Sequence, residues 1–126
     1  MTDKELFDLA VSAAENSYSP YSHFRVGAAV LTKDGRVFTG CNVENASYSL
    51  TVCAERTALF GAVSEGVTEF EAIAIAGSGD DDFSAPCPPC GACLQVLSEF
   101  CTGKLKVILS DGAYTLADFL PRAFRL

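Results

Sequence analysis

The sequence predicts an α/β fold with helices packed on the faces of a mixed sheet. Three observations lead there. Helical and strand patterns alternate along the chain in the order α-β-β-α-β-α-β. The run from Phe70 to Ala76, with Ile73 and Ile75 inside it, has the composition of a buried strand. Gly27, Ala28 and Ala29 are small enough to let a strand lie close against another backbone or a helix. A chain of 126 residues that is 49% apolar suffices for a single domain, residues 1–126, around one core. It shows no internal repeat, linker or low-complexity tract.

Each element has a local reason. Thr2-Asp3-Lys4-Glu5 has the form of a capping box, with Thr2 as N-cap and Glu5 three residues on. Leu6, Leu9, Ala10 and Ala13 follow at helical spacing, and this first helix is expected to end near Asn16, ahead of Pro20. Residues 25–31 and 36–41 read as the strands of a hairpin turned by Lys33-Asp34-Gly35. Residues 42–48 form a polar loop. A second helix is expected from about Thr51 to Ser64, stopped by Gly66. After the strand that starts at Phe70, residues 77–89 are rich in Gly, Asp, Ser and Pro and read as a loop. A third helix is expected over 90–100, a strand over 105–109 and a turn at Asp111-Gly112. Residues 114–120 suit a short strand leading into a final helical turn, and the pattern does not separate the two.

Composition narrows the function. The net charge is −7, and Lys and Arg are scattered without a cluster that could track a phosphate backbone. The expected partner is therefore a free small molecule without phosphate groups, and not a nucleic acid. No apolar run approaches the roughly 20 residues that cross a bilayer. Residues 1–5 lack the basic start and apolar stretch of a secretory leader, so a cytoplasmic location is expected. Six cysteines in a short chain would suit a disulfide framework in a secreted protein. Without a secretion signal, reduced thiols and a metal site are the better reading.

The chemistry lies in two short motifs. Cys53-Ala54-Glu55 is followed 34 residues later by Pro89-Cys90-Gly91-Ala92-Cys93. Three thiolates can hold one zinc ion tetrahedrally and leave its fourth position open, whereas structural zinc sites usually close all four. Glu55 lies two residues from the first ligand, near enough to reach that position without being a ligand. An open zinc beside a free carboxylate is suited to activating water. Cys53 and Cys90 fall at expected helix starts, where the helix dipole and free N–H groups favour thiolate over thiol. Cys93 shares a helix face with Cys90. Taken alone, Cys90-x-x-Cys93 suits a redox pair or half a zinc knuckle equally well. Pro86-Cys87-Pro88-Pro89-Cys90 also satisfies a Pro-Cys-x-x-Cys pattern. Pro88 and Pro89 keep that stretch extended and remove two N–H groups, so Cys87 is expected to be a spare thiol. His23, the only histidine, reads as a loop residue.

Three further blocks accompany these motifs: Tyr18-Ser19-Pro20-Tyr21-Ser22-His23-Phe24-Arg25-Val26-Gly27-Ala28-Ala29, Gly40-Cys41-Asn42-Val43-Glu44-Asn45-Ala46-Ser47-Tyr48 and Leu120-Pro121-Arg122-Ala123-Phe124. With these blocks the chain, from the first helix to Phe124, resembles the small homotetrameric, zinc-dependent cytidine deaminases of the cytidine/deoxycytidylate deaminase superfamily. The resemblance implies a three-layer α-β-α sandwich with a mixed central sheet of four to five strands. It implies one zinc ion per chain on Cys53, Cys90 and Cys93, with Glu55 as the catalytic proton shuttle. The implied reaction is hydrolytic deamination of cytidine and 2′-deoxycytidine to the uridines, with release of ammonia. Arg56 would offset the negative charge of the thiolates. Phe24 would pack on the base, Asn42 and Glu44 would hold sugar hydroxyls, and the backbone of Ala54 and Cys90 would hold the exocyclic amine and O2. Tyr48 and Phe124 would enter a neighbouring subunit's site in a homotetramer. Leu94 stands where the family often carries Arg, and the segment after Asp111-Gly112 is trimmed. Other readings are an aminohydrolase of a different cytosine compound and a zinc-stabilised binding module, which leaves Glu55 unexplained. A nucleic-acid editor would need a basic groove that the sequence lacks.

Overall fold

The capping box at the start of the chain forms as expected. Thr2 Oγ1 accepts from Glu5 N at 3.1 Å, and Thr2 N donates to Glu5 Oε1 at 2.9 Å. It opens helix α1, Asp3–Ala14, in a computed structural model that describes residues 1–126. Strands β1, Arg25–Thr32, and β2, Val37–Cys41, follow as a hairpin turned at Gly35, whose φ of 91° favours glycine. A short 3₁₀ turn, Tyr48–Leu50, leads to helix α2, Ala54–Ser64. The rest of the chain is β3, Phe70–Ser78, α3, Gly91–Phe100, β4, Lys106–Leu109, β5, Gly112–Thr115, and α4, Leu116–Phe119.

The five strands form one mixed sheet in the order β2-β1-β3-β4-β5. Only β3 and β4 are parallel, joined by a crossover through α3, and the other neighbours are antiparallel. Helices cover both faces, and the side-chain period of two sorts the central strands between them. Ala28, Val30, Ile73, Ile75 and Val107 face a large core shared with α2 and α3. Ala29, Ala72, Ala74, Ala76 and Ile108 face a smaller core under α1, with Leu6 and Ala10. The α1 face is thus nearly all alanine, and the helix approaches closely. A Cβ on Gly27 would lie 1.9 Å from the carbonyl oxygen of Ala10, and one on Gly40 would lie 2.4 Å from the amide nitrogen of Ala58 in α2. The small residues of β1 do mark a close backbone approach, as their sizes suggested.

Two boundaries differ clearly from the sequence reading, and one choice that it left open is resolved. Helix α2 starts at Ala54, not near Thr51, because Cys53 keeps extended backbone angles (φ −71°, ψ 155°) as its N-cap. Strand β3 runs on through Gly77 and Ser78, which pair with Val26 and Arg25 of β1. Pairing across the sheet here overrides the turn propensity of the Gly-Ser sequence. At the other end both alternatives form in succession, β5 and then α4, whose start is tied by Thr115 N donating to Asp118 Oδ2 at 2.8 Å. No helix is long and apolar enough to cross a membrane.

Candidate metal centre

Cys53 and Cys90 are the N-cap residues of α2 and α3, and neither side chain caps its helix. Their sulfurs are turned to one another across the helix starts, 3.9 Å apart. Cys93, one turn into α3 and fully buried, completes the group, with all three sulfur atoms within 4.8 Å of one another. Tetrahedral zinc with Zn–S bonds of about 2.3 Å spans about 3.8 Å between sulfurs, so the observed separation fits one shared ion. The donor set is soft and anionic, as zinc prefers.

The electrostatics favour thiolate at Cys53. The Cys53 thiol is pulled down to about 5, first by a hydrogen bond from Cys93 and then, against the cost of burial, by the Arg56 guanidinium. Cys93 is driven well above the usual thiol range by the same pairing and by burial. The two sulfurs share one proton readily and resist losing both until a cation joins them. Arg56 Nη2 donates to Cys53 Sγ at 3.3 Å, so a fixed positive charge lies against the sulfur cluster. Its buried Nε has no partner of its own.

Glu55 sits in the first turn of α2 and is only 5% exposed. Burial is the main reason that its carboxyl is pushed up to about 7, with the negative charge of Cys53 adding to the shift. A bound cation would draw it back down. Leu94, in the position after Cys93, is buried in the larger core and carries no charge to the site.

The loop that precedes β1 is built around Asn42 and Glu44. Asn42 is buried; its Oδ1 accepts from Val26 N at 2.9 Å and from the Ser17 hydroxyl, and its Nδ2 donates to the Phe24 carbonyl at 2.9 Å. Glu44, 5% exposed, accepts at Oε1 from the amides of Tyr21 and Ser22 at 3.0 and 3.1 Å, and at Oε2 from the Ser22 hydroxyl. These bonds, led by the Ser22 hydroxyl, hold its carboxyl below the usual range. Between them the chain turns at His23, with φ at 57°, a region that residues other than glycine seldom occupy. Phe24 follows, 41% exposed. Ser17 and Ser22 were not singled out in the sequence, because a hydroxyl that bonds a distant carboxamide or carboxylate leaves no local signal.

Cys87 lies outside the sulfur trio. Its half-buried thiol, raised to about 11 mainly by burial, packs beside Gly77 and the Phe24 ring. Tyr48 and Phe124 both project into solvent, at 60% and 68% exposure. Gln95 of α3 donates to the Phe124 carbonyl at 3.0 Å and fixes the tail beside it.

Residues 1–109 match the model of the cytidine and deoxycytidylate deaminase zinc-binding region. The chain belongs to that family. A cytidine deaminase of Halalkalibacterium halodurans is 49% identical over 98% of this chain and 95% of its own length. One from Sporosarcina psychrophila is 46% identical over 98% and 92%. Among solved structures, the cytidine deaminase of Burkholderia pseudomallei superposes with a TM-score of 0.89 at 49% identity, covering 98% of this chain and all of that one. The Mycobacterium tuberculosis cytidine deaminase gives 0.90 at 42%, covering 100% and 99%. The deaminase family's zinc-binding region thus includes the sulfur trio and the Glu55 turn.

Proposed function

We propose that this chain is a zinc-dependent deaminase that converts cytidine and 2′-deoxycytidine to uridine and 2′-deoxyuridine with release of ammonia. One observation carries the reading: three sulfurs converge from two helix starts, with a buried glutamate in the first turn of one of them. Zinc on the three thiolates would supply the Lewis acid that brings the pKa of water near neutrality.

The residues of the chain do the rest. Glu55 takes a proton from the attacking water and hands it to N3 of the pyrimidine as the oxygen bonds C4. It then relays a second proton to the amine, which leaves as ammonia when C4 regains its carbonyl. Three thiolates and a divalent cation sum to −1, which opposes the acidification of water, and Arg56 offsets that charge through Cys53. The backbone of Ala54 and Cys90 orients the amine and O2, and Phe24 packs on the ring. Asn42 and Glu44 hold the sugar hydroxyls in addition to anchoring their loop. An ionised Glu44 also repels a phosphate, in keeping with a nucleoside substrate and the net charge of −7.

The exposed Tyr48 and Phe124 support a homotetramer in which each enters a neighbouring subunit's site. A cytoplasmic location accords with the reduced thiols. The test is the ultraviolet absorbance of cytidine incubated with the zinc-loaded protein, beside a Glu55→Gln control. Turnover in the parent and a loss of about 10²–10⁴ in kcat for the control are expected. Zinc-loaded protein that leaves cytidine untouched would overturn the substrate, and an active Glu55→Gln would overturn the proton shuttle.

A further inference from the structure

Gly77 is the last but one residue of β3 and, at the same alternation as Ile73 and Ile75, lies on the face that carries α2, α3 and the metal centre. It is a glycine without a conformational reason. Its backbone is that of a paired strand, opposite Val26 of β1, and its φ lies outside the left-handed region. A glycine inside a strand costs stability and marks a place where something approaches closely. Here that is two side chains at once. A Cβ on Gly77 would lie 2.7 Å from Cys87 Sγ and 2.9 Å from Cε2 of the Phe24 ring. The next glycine along, Gly79, offers the same ring an ordinary contact of 3.8 Å. Phe24 therefore rests on a bare strip of β3, with the Cys87 thiol filling the remaining space beside it.

The other attachments of Phe24 are backbone ones. Its carbonyl accepts from Asn42, and its amide donates to Ser22 Oγ at 3.0 Å. They fix where the side chain starts and leave open how deep the ring settles. We propose that Gly77 and Cys87 are positioning residues that together set the depth of the Phe24 ring, and through it the grip on the pyrimidine. This rests on the reading of Phe24 as the residue that packs on the base. It also gives the odd cysteine of the Pro-Cys-Pro-Pro segment a packing role. A thiol is small enough to share the space over Gly77 with an aromatic edge, and its raised pKa keeps it neutral beside the base.

A double-mutant cycle tests this, with KM and kcat for cytidine, Ki for uridine, and zinc content read on each variant. Gly77→Ala is expected to raise KM and Ki about tenfold with kcat within about twofold, because lost ground-state binding moves KM and not kcat. Its thermal stability should stay close to the parent's, since the methyl displaces the ends of side chains and not backbone, and alanine's smaller unfolded-state entropy offsets that cost. Cys87→Ala alone should raise KM about threefold or less. Adding Cys87→Ala to Gly77→Ala removes the nearest clash, Sγ at 2.7 Å, and gives the ring edge at 2.9 Å room to settle back, so KM should return to within about threefold of the parent. That rescue distinguishes ring positioning from general damage to β3. Phe24→Ala is the control on the underlying reading. An unchanged KM there would overturn the role of Phe24 itself. A raised KM there, combined with an unaffected Gly77→Ala or with no rescue by Cys87→Ala, would overturn the positioning proposal alone.

Discussion

Helices α1 and α3 begin in opposite ways. At the start of α1, Thr2 and Glu5 exchange two hydrogen bonds and satisfy amides that would otherwise lack partners. At the start of α3 the N-cap is Cys90, whose side chain makes no such bond, and α2 repeats the pattern with Cys53. An N-cap bond is worth about 1 kcal/mol. The two helices that carry the metal centre forgo it. Their first turns present free amides and the positive end of the dipole to a cluster of thiolates instead. The faces they pack on differ in the same sense. The α1 face is nearly all alanine and glycine, while the other face, although Gly40 brings α2 close at one point, takes bulkier side chains and keeps space for Phe24 and the sulfurs. Both faces are closely packed, and only the second also leaves helix starts without side-chain caps where a ligand is to be bound.

Substitutions at the two kinds of helix start should separate function from stability. The largest effect is expected at Cys90→Ala: zinc content, measured by atomic absorption, falls from one per chain to near zero, and activity goes with it. With zinc chelated from both proteins, unfolding by urea should then differ by no more than about 0.5 kcal/mol, because no cap bond was removed. A larger loss in the metal-free comparison would break the contrast. Next comes Gly27→Ala under α1, where a methyl would meet the Ala10 carbonyl at 1.9 Å. Backbone cannot yield as a side chain can, so a cost of about 3 kcal/mol or more is expected in urea unfolding. Zinc stoichiometry should stay at one in whatever fraction remains folded.

Thr2→Ala should cost about 1 kcal/mol in the same measurement and leave kcat and KM unchanged. The smallest effect is a pH dependence. The Glu5 carboxyl is held below its ordinary value of 4.5, first by the backbone N–H of Thr2 and then by its side chain. A lowered folded-state value means that the ionised box contributes its stability above pH 4.5 and loses it as the pH falls through the lowered value. Glu5→Gln should therefore flatten the fall in thermal midpoint below that pH, and a parallel fall in both proteins would remove the box from the account.

The chain's own order of residues determined a good deal. The Thr2 box, the Gly35 turn, the strand character around Ile73 and Ile75, and the cysteines at two helix starts are all local patterns, set by backbone sterics and side-chain period. The prolines after Cys87 and the family motif favoured Cys53, Cys90 and Cys93 over it, and those three are the sulfurs that converge. Other features depended on tertiary structure. Strand order decides that the starts of α2 and α3, which follow different strands, meet at one point. Sheet pairing carried β3 through Gly77 and placed that glycine under Phe24, 53 residues earlier in the chain. Asn42 and Glu44 found their partners at Ser17 and Ser22 through hydrogen bonds spanning 25 and 22 residues. Local patterns record what a segment can form by itself. Which segments meet is settled by burying both faces of the sheet at once, a property of the folded chain and of no single segment.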